Sequence, residues 1–180
     1  MVALALLMKL EDLFTDADRR RFAAQPEMDP LTEASALQEA QLLDVRVHAL
    51  TSTVGLLFDL RTALQFMEGN TALLIVRGVR EFGWAAEPRA SARTAWNVVS
   101  SEPTISDRVF SIRLGFVPSA QLTLAAESAE FYVGDVDALS DTPPDYGSAD
   151  DAAIRVGLAD WTSPFSPVHA VFLDPAPAGS

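Results

Sequence analysis

Asp59 is the carboxylate whose setting in the sequence best suits chemistry, because it lies within a long run of apolar residues. Burial disfavours the charged form of a carboxyl group and raises its pKa, as a general base near neutral pH requires. Arg61 and Arg80 are the basic residues expected beside it, and His48 lies on the polar face of the preceding predicted strand. These four residues define a candidate pocket for a small-molecule-binding or acid–base enzyme.

The same residues also have a structural interpretation, which we favour. If residues 54–84 form a hairpin, Asp59 and Arg80 face each other across it and Arg61 lies on the same face. Opposite charges directly across an antiparallel pair contribute about 0.2–1 kcal/mol, so an ion pair explains these residues without catalysis. No catalytic residue is therefore assigned.

Residues 135–160, which we name the acidic segment, form the second candidate site. They hold seven aspartates and one basic residue, Arg155, a local balance of −7 + 1 = −6 in a chain of net charge −12. Like charges this close repel one another, so a fold tolerates them where they stay solvated or meet a cationic partner. The predicted binding residues are Asp135, Asp137, Asp141, Asp145, Asp150 and Asp151. A flexible, solubilising loop held open by Pro143-Pro144 remains the alternative.

No metal site or cofactor is predicted. The chain has no cysteine, which excludes disulfides, thiolate metal ligands and a cysteine nucleophile. His48 and His169 are far apart in the sequence and share no ligand spacing. The acidic segment begins like a calcium-binding EF-hand loop, but Ser140 and Tyr146 replace the glycine and glutamate that such a loop needs at its sixth and twelfth positions.

The composition limits the classes of partner. A net charge of −12 and a pI near 4.4 disfavour nucleic-acid binding, which needs a basic surface for phosphates, and favour a basic protein partner. Residues 1–10 are apolar, but they lack a basic start and are too short to span a membrane. We therefore predict a cytoplasmic protein without a membrane partner, and the sequence leaves its oligomeric state open.

These observations favour a non-enzymatic interaction protein, such as a small bacterial immunity or accessory protein, that binds a basic macromolecule through an acidic surface. Five aromatic residues are expected in the core or at its rim: Phe82, Trp84, Trp96, Trp161 and Phe165. Some of them could line a ligand pocket between the sheet and a helix, but the sequence does not indicate which.

The pattern of apolar residues predicts an α+β fold, with an antiparallel sheet of about six to eight strands and N-terminal helices packed on it. We expect a single domain over residues 1–180. Its expected parts are a helical segment over residues 1–43, a sheet core over 44–136, and an acidic loop, short helix and tail over 137–180. The helices are predicted at residues 2–14 and at 29–43, where Asp29-Pro30 forms a helix start.

The hairpin in residues 54–84 is predicted from Gly69-Asn70, a dipeptide that suits a two-residue type II′ turn with a positive φ at the glycine. This turn places Leu64 opposite Ile75 and Asp59 opposite Arg80. In the rival interpretation, residues 61–68 form a short helix that ends at Gly69.

Further strands are predicted at residues 44–52, 96–100, 109–117, 121–126 and 130–136. The strand over 109–117 alternates most regularly between apolar and polar side chains. It therefore predicts a buried face made of Phe110, Ile112, Leu114 and Phe116.

Overall fold

The computed structural model describes residues 8–15, 24–89 and 91–174. An antiparallel sheet of seven strands dominates them, with two short α-helices. The elements in chain order are α1 (Leu10–Thr15), β1 (Gln41–His48), β2 (Thr53–Asp59), β3 (Thr71–Ala86), β4 (Trp96–Ser106), β5 (Val109–Val117), β6 (Ala120–Asp135), α2 (Asp151–Gly157) and β7 (Ser166–Leu173). No helix among these residues is long and apolar enough to cross a membrane.

The sheet is built on β3 and β6, which are sixteen residues long and pair with each other along almost their whole length. The other edge of β3 pairs with β2, while the other edge of β6 pairs first with β5 and then with β7. β1 joins β2 to β4, although it meets β4 only at Gln41–Asn97 and Leu42–Trp96. Strands β1, β2, β3, β6, β5 and β4 therefore close a ring.

The long strands divide the sheet into two halves near Gly78, which has a φ of +65° and precedes a register shift between Val79 and Glu81. The covered half consists of β1, β2, β7, residues 71–77 of β3 and residues 127–135 of β6. The open half consists of β4, β5, residues 78–86 of β3 and residues 120–126 of β6. A bulge bends a strand and increases its twist, so the two halves can turn toward each other.

Two hydrophobic cores result from this arrangement. The interior core lies inside the ring and includes Phe58, Phe110 and Phe131. The second core lies on the opposite face of the covered half, where α1 and residues 159–165 pack over β2, β3 and β6. Strand β2 is buried along its entire length because each of its faces contacts one of the cores.

The helix predicted over residues 29–43 is absent. Residues 30–39 form turns, in which Ser35 and Glu39 have φ values of +62° and +65° that a right-handed helix does not allow. Their backbone N–H groups donate to the carbonyl oxygens of Ser101 and Val98, so this stretch follows the edge of β4. Of the helix predicted over residues 2–14, the structure shows only the six-residue α1, Leu10–Thr15, and the part before residue 8 lies outside the described residues. The predicted layer of N-terminal helices on the sheet is therefore not supported.

The predicted hairpin register is wrong. Asp59 lies opposite Thr71 instead of Arg80, and residues 60–70 form an irregular loop, so the helical alternative is wrong as well. The loop is fixed by distant contacts: the Asn70 side chain donates to the carbonyl of Val136 (3.0 Å) and accepts from its N–H (2.9 Å). Gly69 does have the predicted positive φ, at +84°.

Predictions for the remaining strands were more successful. β5 has the predicted bounds, and its four apolar side chains are at most 4% exposed. β4 continues beyond residue 100, where the predicted strand ends, and runs to Ser106, before a tight turn at Asp107-Arg108. The two strands predicted over 121–126 and 130–136 are one continuous strand, β6, because β3 pairs across the stretch that separates them.

Candidate functional site

Asp59 and Arg61 form a buried ion pair at the end of β2. The Arg61 Nε atom lies 3.0 and 3.1 Å from the two carboxylate oxygens, and the Arg61 backbone N–H donates to Oδ1 at 2.9 Å. The side chains of Asp59 and Arg61 are only 1% and 3% exposed. The structure thus brings together two of the four residues of the predicted pocket.

The rest of the Arg61 guanidinium binds the acidic segment. Its Nη1 donates to the carbonyl oxygens of Ser140 (3.0 Å) and Thr142 (3.1 Å), and its Nη2 donates to the carbonyl oxygen of Gly157 (2.7 Å). The planar guanidinium offers five donors in a fixed arrangement, which suits several acceptors at once. One side chain therefore holds two stretches of the acidic segment against the sheet.

Tyr146 forms a second attachment of the acidic segment. Its hydroxyl donates to Oε1 of the buried Gln41 side chain at 3.2 Å. Desolvation by burial, with a smaller contribution from the nearby Asp59 carboxylate, raises the pKa of Tyr146 to about 12. Tyr146 consequently remains a neutral hydrogen-bond donor at physiological pH.

The other two residues of the predicted pocket lie elsewhere. His48 is at the opposite end of the β1–β2 pair from Asp59, where its Nδ1 contacts the Thr51 hydroxyl at 2.7 Å. Arg80 forms an exposed ion pair with Glu127 at 3.2 Å instead of pairing with Asp59. Both carboxylate oxygens of Asp59 accept hydrogen bonds from Arg61, and almost no surface of this residue is open to a substrate.

Two of the predicted binding aspartates have a role in local structure. Asp145 accepts from the Gly147 N–H and the Ser148 hydroxyl, both at 2.8 Å, and these bonds lower its pKa. Asp150 caps α2 by accepting from the Ala153 N–H at 2.7 Å. These contacts explain part of the aspartate content without a partner.

The remaining aspartates are placed toward solvent. Asp151 is 83% exposed at its side chain and pairs with Arg93 at 3.1 Å. Asp137 and Asp141 are exposed, Asp135 is partly buried, and their carboxylates have no hydrogen bond or ion pair within the described residues. The acidic segment is therefore attached from beneath through Arg61 and Tyr146 while most of its carboxylates face outward.

The described part of the chain contains no candidate metal site, because no three His, Asp or Glu side chains are close enough to bind one ion. His169 lies in β7 and contacts Glu68 through Nε2 at 3.0 Å, far along the sheet from the β1 end that carries His48.

An aromatic depression of about 310 Å³ lies between strands, not between the sheet and a helix, and the sequence did not predict its position. Phe82 and Trp84 of β3, which are 37% and 39% exposed, line it together with Trp96 of β4. The side of β1 over residues 42–45 completes the lining. Trp84 packs against Trp96 and Phe116 with ring centroids 5.4 and 5.5 Å apart, so the aromatic wall extends from the interior core to the surface.

Neither family models nor curated proteins match this chain. A crystal structure of an uncharacterized protein from Neisseria gonorrhoeae is similar to it, with a TM-score of 0.42 and 12% sequence identity. The similarity covers 55% of this chain and 94% of that one. At this TM-score it carries no argument about fold or function.

Proposed function

We propose that this is a non-enzymatic interaction protein of the cytoplasm, comparable to a small bacterial immunity or accessory protein. In this proposal the acidic segment binds a basic protein partner, and no cofactor takes part. The observation that carries the proposal is the attachment of the acidic segment through Arg61, which leaves the outward carboxylates available for a partner.

The charge balance of the acidic segment supports this function. Arg155 within it and Arg93 at its border oppose seven aspartates, which leaves −7 + 2 = −5 on a short stretch of chain. A concentrated charge of one sign steers an oppositely charged partner and raises its association rate. An anchored segment also loses less conformational freedom on binding than a flexible one, so less of the interaction energy is lost to ordering.

The alternative function, a small-molecule-binding or acid–base enzyme near Asp59, Arg61 and His48, receives less support. A general base must lie within hydrogen-bond reach of the proton that it removes. Asp59 is 1% exposed and engaged by Arg61, whereas His48 is at the far end of the strand pair.

Affinity capture from a lysate of the source organism, at low and at raised salt, identifies the partner. The rate at which this partner associates with variants of the protein then tests whether the acidic segment is the binding surface. The test variant replaces four aspartates of the acidic segment with asparagine: Asp141, Asp145, Asp150 and Asp151. Asparagine keeps a side-chain oxygen that can accept the turn and cap hydrogen bonds, so we expect little change in thermal stability. We expect the association rate at low salt to fall by a factor on the order of 10, and raised salt to have a similar effect on the unmodified protein.

A matched control removes the same number of charges from exposed glutamates outside the acidic segment: Glu81, Glu87, Glu102 and Glu127 are replaced with glutamine. This control variant should associate almost as fast as the unmodified protein. Equal rates for the two variants would show that the acidic segment has no special part in binding.

A further inference from the structure

The outer edge of β1 is open over most of its length. β1 pairs with β2 from Gln41 to His48, but on its other side it meets β4 only at Gln41 and Leu42. Within the described residues, no strand follows the rest of this edge, because residues 87–89 and 91–95 lie outside the strands of the sheet. In this stretch the N–H of Val45 donates to the Asp44 carboxylate at 2.8 Å.

One face of this edge is apolar, while Asp44, Arg46 and His48 alternate along the other. Val47 is 56% exposed, Leu50 just beyond the strand is 94% exposed, and Val45 is partly buried beside them. Proteins usually protect an edge strand with lysine, proline or an inward charge, because unpaired backbone groups are a template for another chain. An exposed apolar edge indicates that an extended peptide is a suitable occupant.

The aromatic depression lies beside the open edge. Leu43 and Val45 of β1 line one side of it, and Phe82 and Trp84 line the other. Side chains of a strand alternate between its two faces, so a chain paired with β1 would direct every second side chain toward one face of the sheet. An apolar side chain at such a position could bury itself between Phe82 and Trp84.

The acidic segment borders the same place. Tyr146 contacts Gln41, the residue before Leu42, at 3.2 Å. Arg93, three residues before Trp96, pairs with Asp151 and donates to the Ala149 carbonyl at 3.2 Å. The aromatic depression therefore has the acidic segment as a neighbour. Arg46 of β1 and Arg89 beside Trp96 are also close, but the net negative charge of the acidic segment favours a basic occupant. A second copy of this chain is disfavoured, because each copy has a net charge of −12.

We propose that a basic, extended segment of a partner protein adds to the open edge of β1 as an extra strand. Its backbone would hydrogen-bond to β1, an apolar side chain would enter the aromatic depression, and its basic side chains would lie toward the acidic segment. This mode of recognition takes affinity from the main chain and specificity from alternate side chains. The inference rests on the proposed function, and it specifies that the partner binds as a strand.

The test uses three synthetic octapeptides. The first alternates arginine with valine and phenylalanine, the second has glutamate in place of arginine, and the third is the first peptide with alternate backbone amides N-methylated. We expect the first peptide to bind and to change tryptophan fluorescence and the amide signals of β1. N-methylation, which blocks strand pairing, should weaken binding about 10-fold or more, as the loss of two net hydrogen bonds would. The acidic peptide should not bind.

A pair of variants of this protein locates the binding edge. Val47→Lys places a positive charge on the open edge and should reduce binding of the basic peptide. Ile105→Lys is the control: it adds the same charge at the distant end of β4, at a residue whose exposed fraction is similar, 52%. The second variant should bind as the unmodified protein does. Equal binding by both variants would overturn the inference, as would failure of the basic peptide to bind at about 1 mM.

The remaining outcomes separate this inference from the proposed function. If N-methylation and Val47→Lys have no effect while the four Asp→Asn changes weaken binding, the acidic surface acts without strand addition and the inference fails. If Val47→Lys weakens binding while the Asp→Asn changes do not, the strand site stands and the proposed acidic surface fails. A dimer detected by sedimentation and lost in Val47→Lys would make a second copy the occupant and would overturn the inference.

Discussion

The covered half and the open half of the sheet differ in how they use ionisable residues. In the covered half, the carboxylates of Asp59 and Glu130 are each 1% exposed and pair with Arg61 and Arg77. In the open half, the comparable pairs lie on the solvent-facing surface: Arg113 and its partner Glu102 are both about 60% exposed and lie 3.7 Å apart.

The buried pairs attach a second layer to the sheet. Arg77 donates to the carbonyl oxygens of Phe14 (3.2 Å) and Leu13 (3.1 Å) and so holds α1, just as Arg61 holds the acidic segment. Among residues 8–15, 24–89 and 91–174, none forms a second layer over the outer face of the open half, and its charged pairs there are exposed. Buried charged residues in this protein therefore hold chain segments against the sheet, whereas the exposed ion pairs of the open half are expected to contribute little to stability.

The largest effects are expected in the interior core, which the two halves share. Phe131→Ala in the covered half and Phe110→Ala in the open half should each lower the free energy of unfolding by about 3–5 kcal/mol, since both side chains are at most 1% exposed. Urea denaturation measures both values. Leu64→Ala, at a loop residue that is 61% exposed, serves as a control and should change stability by less than about 0.5 kcal/mol. A cost below about 1 kcal/mol for Phe110 alone would mean that the halves do not share a core.

The contrast between the ion pairs is tested by Arg61→Met and Arg113→Met. Removing Arg61 leaves the Asp59 carboxylate buried without its partner, so we expect a loss of about 3–5 kcal/mol. Removing Arg113 from an exposed pair should cost about 0–1 kcal/mol. Urea melts of the two variants give the difference, and hydrogen exchange should show faster exchange in the acidic segment of the Arg61 variant alone. Similar losses for both variants would contradict the comparison.

The loop over residues 60–70 connects β2 and β3 of the covered half, and substitution of its Gly69 should be destabilising. An added Cβ there would lie 2.6 Å from Val133 Cγ1, and a φ of +84° disfavours any residue with a side chain. Gly69→Ala should therefore lower the free energy of unfolding by about 1–3 kcal/mol in thermal or urea denaturation. Gly147→Ala, in the exposed part of the acidic segment, is the control and should cost about 0.5 kcal/mol or less. Equal stability of the two variants would show that the loop adapts to the extra atom.

The smallest effect is a pH dependence at Tyr146. The pKa of about 12 in the folded protein lies above the value near 10 of an unfolded tyrosine, so folding favours the neutral phenol. The contribution of Tyr146 to the free energy of unfolding is fully present below pH 10 and is lost as the pH rises from 10 toward 12. Urea midpoints between pH 9 and 11 should fall less steeply in Tyr146→Phe than in the unmodified protein. If the urea midpoints of both proteins fall equally steeply with pH, the Tyr146 hydroxyl is exposed to solvent.

Local periodicity predicted the parts of the fold that local sequence determines. In β5, the alternation from Phe110 to Phe116 is enough to define one buried face, because strand side chains alternate regardless of which strands are neighbours. The sequence likewise marked Asp59 and Arg61 as ionisable residues in an apolar run. It did not predict their role, because the acceptors at Ser140, Thr142 and Gly157 are backbone carbonyls, which every residue possesses.

The parts of the fold that were predicted wrongly are those whose conformation depends on tertiary contacts. Gly69-Asn70 is a good hairpin signal, but Asn70 binds the backbone of Val136, 66 residues away, and the chain forms a loop instead. Residues 29–43 have the spacing of a helix, but their N–H groups complete the edge of β4. The aromatic depression depends on which strands bring Trp84 and Trp96 together, and that information is not local either.

The Arg61 guanidinium also acts as a cross-link in a chain that has no cysteine. It joins stretches of chain that are 79 and 96 residues apart, and holding such long loops closed restricts the chain in the way that a disulfide does in secreted proteins. Unlike a disulfide, these hydrogen bonds form without an oxidant, and thiol reductants do not break them. The acidic segment should therefore stay fastened equally well in a reducing and in an oxidising compartment, and adding dithiothreitol should leave the melting temperature unchanged.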